Sequence, residues 1–224
     1  MRVAALYDVH GMRTPLEAVL ADVERAQVDT ILFGGDIFCG PLPRETHELV
    51  RDVAGAQFVR GNCERDPDEW LSAQLGDEAV EWARAWPRTL DLDGVLYCHA
   101  TPQSEDPILT EASAPERFEQ ALAGVDARLV VAGHTHIQFR RDRWVNAGSV
   151  GMPYEGDVAA FWTIVSDDVE FRRTDFDVER AIAEVEGSSW PSGRREFIEE
   201  NLRAAPSRSE AIEWFESRVA ESSA

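Results

Sequence analysis

Short apolar runs in this chain end repeatedly on the same few polar residue types. Val3–Leu6 leads into Asp8-Val9-His10, residues 28–33 into Gly35-Asp36, and residues 57–60 into Gly61-Asn62-Cys63-Glu64. Further along, Val95–Cys98 leads into His99, and Leu129–Ala132 into Gly133-His134-Thr135-His136. A continuous apolar run bounded by polar residues and glycine reads as a strand buried on both faces. Helical signals lie between the first runs. Thr14-Pro15-Leu16-Glu17 reads as a capping box with proline at the first helical position, and Leu16, Val19, Leu20 and Val23 follow at helical spacing. Residues 44–53 read as a second helix. Strand and helix in alternation predict a mainly parallel sheet, and in such a sheet the C-terminal strand ends share one edge. Residues that close separate strands are therefore expected to meet in one site.

Trp70, Leu71, Leu75, Trp82 and Trp86 recur at near-helical spacing and are expected to pack in the core. From residue 88 the pattern changes to short strands at Thr89–Leu92, Val95–Cys98, Leu129–Ala132, 137–140, Trp144–Asn146, 159–165 and 169–173, which imply a second sheet. Asp91-Leu92-Asp93-Gly94 and Ser166-Asp167-Asp168 supply turns between runs. Helical signals return near residue 176, and Ser207-Arg208-Ser209-Glu210 reads as a capping box before Ile212, Phe215 and Val219 on one face. With 224 residues, 44% of them hydrophobic, the chain is expected to form one domain over 1–224, with 176–224 as a helical C-terminal extension packed on the core.

The formal charge of −20 comes from 42 acidic residues against 22 basic ones, all of them arginine. A surface of that sign repels polyanions, so duplex nucleic acid is not an expected partner and small soluble substrates are. A protein partner or a homo-oligomer is compatible with the sequence. Cys39, Cys63 and Cys98 form no CxxC pair and leave an odd count, which suits a reducing compartment better than a disulfide framework. The apolar stretch in MRVAALYDVH is too short for a signal peptide or a membrane span, so a cytoplasmic location and no membrane partner are expected.

The chain holds five histidines and three asparagines. Asp8, His10, Asp36, Asn62, His99, His134 and His136 all close apolar runs and together make a nitrogen-and-oxygen donor set of two carboxylates, four imidazoles and one amide. That set suits borderline divalent cations, manganese foremost, with iron, zinc, nickel or cobalt as the other candidates. One ion cannot use every donor. Two ions roughly 3.5–4 Å apart, bridged by one carboxylate, can, and phosphate esters are hydrolysed at sites of that geometry. His47, in an Arg/Glu-rich helix, reads as a solvated surface residue, and Cys39 and Cys98 as small buried residues near the site. Ser149 and its neighbouring glycines read either as lining the cleft or as a plain turn.

These motifs, in the order DxH, GDxx, GN, H and GHxH, resemble those of the calcineurin-like metallophosphoesterases over about residues 1–165. The similarity is greatest to small bacterial and archaeal phosphodiesterases whose third motif reads GNC rather than GNH. Asn146-Ala147-Gly148-Ser149-Val150-Gly151 is similar to the NPGS loop of that subgroup, with Ala147 where proline is usual. The resemblance implies an α/β fold, a four-layer α/β/β/α sandwich. It implies a first metal on Asp8, His10 and His136, a second on Asn62, His99 and His134, and Asp36 as the bridge. Two divalent cations, two carboxylates and a bridging hydroxide leave a net charge of about +1, which would hold a phosphate while the hydroxide attacks phosphorus in line.

The catalytic residues so implied are Asp36, Asn62, Cys63 and His99. Cys63 stands where the family's general acid is a histidine, and a thiol of pKa about 8.5 is the poorer acid near neutrality. Phosphodiesters or phosphoanhydrides with good leaving groups are therefore the expected substrates. Dinucleoside polyphosphates, phosphoproteins and a non-catalytic, protein-binding use of the same fold are the alternatives.

Overall fold

The computed structural model describes residues 1–191 and 193–222. Its strands, in chain order, are β1 (Val3–Leu6), β2 (Thr30–Phe33), β3 (Gln57–Phe58), β4 (Thr89–Leu92) and β5 (Val95–Cys98). They continue with β6 (Leu129–Ala132), β7 (Phe139–Arg141), β8 (Trp144–Asn146), β9 (Ala160–Val165) and β10 (Val169–Thr174). One five-stranded sheet has the order β10-β9-β1-β2-β3 and the other β4-β5-β6-β8-β7. β1, β2 and β3 run parallel, as do β5, β6 and β8, whereas β9 pairs antiparallel with both β1 and β10, β4 with β5, and β7 with β8.

Alternation along β1 sets the layers, because successive side chains leave a strand on opposite faces. Val3, Ala5 and Tyr7 pack between the sheets against Val95, Tyr97, Val131 and Val145, and the Tyr7 hydroxyl donates across the gap to Val131 O at 3.0 Å. Ala4 and Leu6 face the other way, toward Leu16, Val19 and Val23 of the helix Arg13–Ala26. On the far side, Val130, Ala132 and Trp144 pack on Phe118 of the helix Pro115–Ala121. The result is helix, sheet, sheet, helix, the α/β/β/α sandwich expected from the sequence.

Several local expectations need correction. The first helix begins at Arg13 behind Met12, so Thr14 and Pro15 lie inside it and no side chain caps it. The Thr14 hydroxyl donates instead to Glu184, and Glu17 pairs with Arg13. The strands near 160 and 170 do not extend the second sheet. β9 returns to pair antiparallel with β1, because its fully buried run completes the first sheet beside Val3–Ala5. The aromatic stretch is two helices, Glu69–Leu75 and Asp77–Arg84, broken at Gly76 with φ +79°. Trp86 and Leu71 are buried there, as expected. The helix Pro115–Ala121 was not anticipated.

Met12 packs with Ala181, Ile182, Val185 and Phe197, and Ile137 with Ala211 and Phe215, so the C-terminal helices rest on the sandwich. Ser207 and Glu210 form the anticipated reciprocal cap, with Ser207 N donating to Glu210 Oε2 at 3.0 Å and Glu210 N to Ser207 Oγ at 3.3 Å. Ser192, Ser223 and Ala224 of this segment lie outside the described residues. No helix among the described residues is long and apolar enough to cross a membrane.

Candidate metal centre

The strand ends deliver their closing residues to a single place. Asp8 and His10 follow β1, Asp36 follows β2, and Asn62 opens the short helix Asn62–Arg65 after β3. His99 follows β5, and His134 and His136 follow β6. Five of these residues take left-handed backbone conformations, with φ of 51° at Asp8, 50° at His10, 53° at Asp36, 69° at His134 and 58° at His136. Non-glycine residues hold such conformations at a cost of order 1–3 kcal/mol, and they cluster where function demands a particular side-chain direction. Gly35, with φ +92°, gives the loops room: a Cβ there would lie 2.5 Å from Gly61 N and 2.8 Å from His99 Nδ1.

Hydrogen bonds to backbone carbonyls fix the imidazole tautomers, because a carbonyl only accepts. His10 Nδ1 donates to Cys39 O at 3.1 Å, His136 Nδ1 to Met152 O at 2.7 Å and His99 Nδ1 to Gly34 O at 3.0 Å. His134 uses its other nitrogen, Nε2, which donates to Asp106 O at 3.1 Å. In each neutral ring the remaining nitrogen then carries a lone pair. The free nitrogens converge in two sets. His10 Nε2 lies 3.0 Å from His136 Nε2, and these lie 3.8 and 3.3 Å from Asp8 Oδ1, a buried oxygen with no hydrogen-bond partner among the described residues. His99 Nε2 lies 3.2 Å from His134 Nδ1, 3.1 Å from Asn62 Oδ1 and 3.5 Å from Asp36 Oδ1.

Acceptors packed against acceptors require positive charge between them, so both sets fit a cation, and in each the second histidine nitrogen donates to a carbonyl as ligating histidines do. Donor atoms of Asp8, His10 and His136 lie within 4.8 Å of one another, as do those of Asp36, His99 and His134. Asp36 also lies within that distance of His10.

The same crowding moves the titrations. Burial opposes ionisation of Asp8, but His136, His99 and His10 outweigh it and hold its carboxyl below the ordinary range. Burial, with His136 beside it, lowers the pKa of His10. Burial and His99 bring His134 down to about 4. Burial acts in the same direction on His99, yet Asp36 and Asp8 prevail and raise it.

Two supporting groups were not anticipated as part of the site. The buried Glu64 carboxylate accepts from the backbone N–H of Asp36 and Ile37, each at 2.8 Å, and of Gly61 at 3.1 Å. It thereby clamps the loop bearing Asp36 to the loop bearing Asn62. Burial, then Asp36, raises its pKa to about 7. Its signal in the sequence was its place directly after Gly61-Asn62-Cys63. Tyr154 stacks on His136 with ring centroids 4.9 Å apart, and no sequence signal marked it.

Ser149 is a buried brace rather than part of the cleft wall. Its hydroxyl donates to Asp8 O at 2.7 Å and accepts from Met152 N at 2.8 Å. His47 is half-buried against Phe38 and Trp82 rather than solvated.

The expectations for Cys39 and Cys63 are overturned. The two form a disulfide with their Cα atoms 5.9 Å apart, because β2 and β3 are neighbours and the loops that follow them lie side by side. A sulfur so bonded has no proton to give, so Cys63 is not a general acid in this form. Cys98 is the free, buried cysteine that was expected, and burial pushes its thiol pKa well up.

His10 and Asn62 open onto a cleft of about 490 Å³ lined also by Arg65, Asp106, Trp70 and Trp190. Arg65 binds Asp106 through two nitrogens at 2.8 and 2.9 Å, which ties the Asn62 helix to the loop that supports His134. Trp190 brings the C-terminal segment into the cleft wall.

The model of the calcineurin-like phosphoesterase superfamily domain matches residues 1–168, and the chain belongs to that superfamily. It is 24% identical over 241 residues to the uncharacterised protein MJ0912 of Methanocaldococcus jannaschii, covering 88% of this chain and 97% of that one. A metallophosphoesterase from Sphaerobacter thermophilus is 26% identical and superposes with a TM-score of 0.73 over 87% of this chain and 96% of its own. PH1004 from Pyrococcus horikoshii, 18% identical, shares the fold with a TM-score of 0.76 over 88% and 97% of the two chains.

Proposed function

We propose that the protein is a dinuclear, metal-dependent phosphodiesterase acting on small soluble substrates with good leaving groups. The observation that carries this reading is the pair of convergent lone-pair sets, one around Asp8 Oδ1 and one around His99 Nε2, with Asp36 in reach of both. Asp8, His10 and His136 would hold one divalent cation, Asn62, His99 and His134 the other, and Asp36 would touch both. Such a pair supplies an activated water and neutralises charge on the phosphoryl oxygens.

The chain's own groups define the rest. A cleft of about 490 Å³ is the size of small-molecule sites. With Cys63 tied in a disulfide, no proton donor stands at the position that follows Asn62, so departure of the leaving group has to rely on its own stability. Activated diesters and phosphoanhydrides meet that demand better than alkyl monoesters. A second reading, dinucleoside-polyphosphate hydrolysis, is favoured by Trp70 and Trp190 in the cleft, since indoles offer stacking faces to a base.

The test is hydrolysis of bis(p-nitrophenyl) phosphate and of p-nitrophenyl phosphate before and after chelator dialysis. We expect a preference for the diester, loss of activity with chelator and its return with Mn²⁺. Turnover indifferent to chelator overturns the reading.

A further inference from the structure

The Cys39–Cys63 disulfide joins the loop that carries Asp36 to the helix that carries Asn62. Both cysteines also touch candidate ligands. Cys63 N–H donates to Asp36 Oδ1 at 3.0 Å, and Cys39 Sγ lies 3.3 Å from His10 Nδ1. Donor atoms of His10, Asp36, Cys39 and Cys63 all fall within 4.8 Å of one another. Both cysteines line the open cleft, where a small thiol can reach them, whereas Cys98 is buried. Sulfur in a disulfide is a poor ligand. A free thiolate is a strong one and selects softer cations than carboxylate and imidazole do.

We propose that Cys39 and Cys63 are a reversible redox pair whose reduction adds two sulfur donors beside His10 and Asp36, creating a site for a thiophilic divalent cation. This rests on the reading of His10 and Asp36 as ligands. In the reducing step, the thiolate of a low-molecular-weight thiol attacks one Sγ, the Sγ–Sγ bond breaks, and a mixed disulfide forms. A second thiol releases the cysteine, and the two small thiols leave joined as their own disulfide. They supply the two electrons, and both cysteine sulfurs end protonated. Binding of the cation displaces those protons to solvent. The oxidised chain therefore presents only nitrogen and oxygen donors, and the reduced chain presents a mixed set with sulfur.

Cobalt(II) reports the difference directly, because sulfur ligation produces a near-ultraviolet charge-transfer absorption that nitrogen and oxygen ligands do not. The full chain, prepared oxidised and reduced, is titrated with Co²⁺ while visible and near-ultraviolet spectra are recorded. We expect visible cobalt bands in both forms and the charge-transfer band only in the reduced one, with that band weakened or lost in Cys39→Ser and Cys63→Ser. Visible bands without any charge-transfer band in the reduced wild type overturn this proposal and leave the nitrogen-and-oxygen centre standing. Absence of cobalt bands in both forms removes the metal centre itself, and this proposal with it. Alkylation that traps three free cysteines after treatment with a disulfide oxidant shows that the pair does not close, and also overturns the proposal.

Discussion

His10 and His136 face each other, Nε2 to Nε2, at 3.0 Å, while the Nδ1 of each donates to a backbone carbonyl, of Cys39 and of Met152 respectively. Neutral rings held this way turn two lone pairs toward one another and toward the unpartnered Asp8 Oδ1. One proton could link the two nitrogens, but burial and the neighbouring His136 disfavour it on His10. A cation would satisfy all three atoms at once.

His136→Ala and His99→Ala should each remove one of the two cations. Bound Mn²⁺, measured by elemental analysis after gel filtration, should fall from two per chain toward one. Turnover on an activated diester should fall by more than about 100-fold, beyond the usual effect of losing a group that only orients a ligand. Unchanged stoichiometry in either variant contradicts the assignment of that histidine.

Glu64 holds the Asp36 and Asn62 loops together through four backbone amides, those of Asp36, Ile37, Phe38 and Gly61. Glu64→Gln turns an NH₂ group toward amides that can only donate. Each buried donor left unsatisfied costs about 1–3 kcal/mol, so the Tm should drop clearly. Activity should fall by about 10–100-fold through weaker metal binding, and excess Mn²⁺ should recover part of it. Wild-type Tm and metal affinity in this variant would show that the clamp is dispensable.

His134 predicts how the metal-free protein responds to acid. Its folded pKa of about 4 lies below the ordinary histidine value of 6.5, so the unfolded chain takes up the proton first. The stability His134 contributes is thus complete above about pH 6.5 and is lost as pH falls through about 4. Denaturant titrations of chelated protein across this window should show the loss, and His134→Gln should flatten it. Equal slopes for the two proteins contradict the assignment.

Trp190 comes from the C-terminal segment and packs edge-on against Phe197 at 5.4 Å while lining the cleft. Base-to-aromatic stacking is worth about 1–3 kcal/mol, so Trp190→Ala should raise KM for a nucleotide diester by roughly 5- to 100-fold. The kcat should stay within about 2-fold, because the indole carries none of the atoms proposed to hold the cations. Equal KM values would place Trp190 outside the substrate's reach.

Much of the site was legible because its chemistry is concentrated at strand ends, where an apolar run stops and a rare His, Asn or Asp follows. Asp8, Asp36 and His99 could be placed that way without knowing how the strands were ordered. Partnership across the chain was harder to read. β9 is apolar but for Thr163, so its pattern identifies it as buried but cannot say that it pairs with β1 rather than with the second sheet. Glu64 follows Gly61-Asn62-Cys63 directly, but that position does not reveal that its carboxylate is buried among four backbone amides. Cys39 and Cys63 are 24 residues apart in an odd set of three, and counting argued against the bond that adjacent loops allow. Thr14-Pro15 looked like a helix start, yet burial of Met12 against the C-terminal helices moves that start to Arg13.

Anomalous diffraction from crystals grown with Mn²⁺ tests the central claim most directly. The prediction is two anomalous peaks about 3.5–4 Å apart, one against Asp8, His10 and His136 and the other against Asn62, His99 and His134, with Asp36 touching both. A single peak, or manganese bound elsewhere with these side chains turned apart, would contradict it.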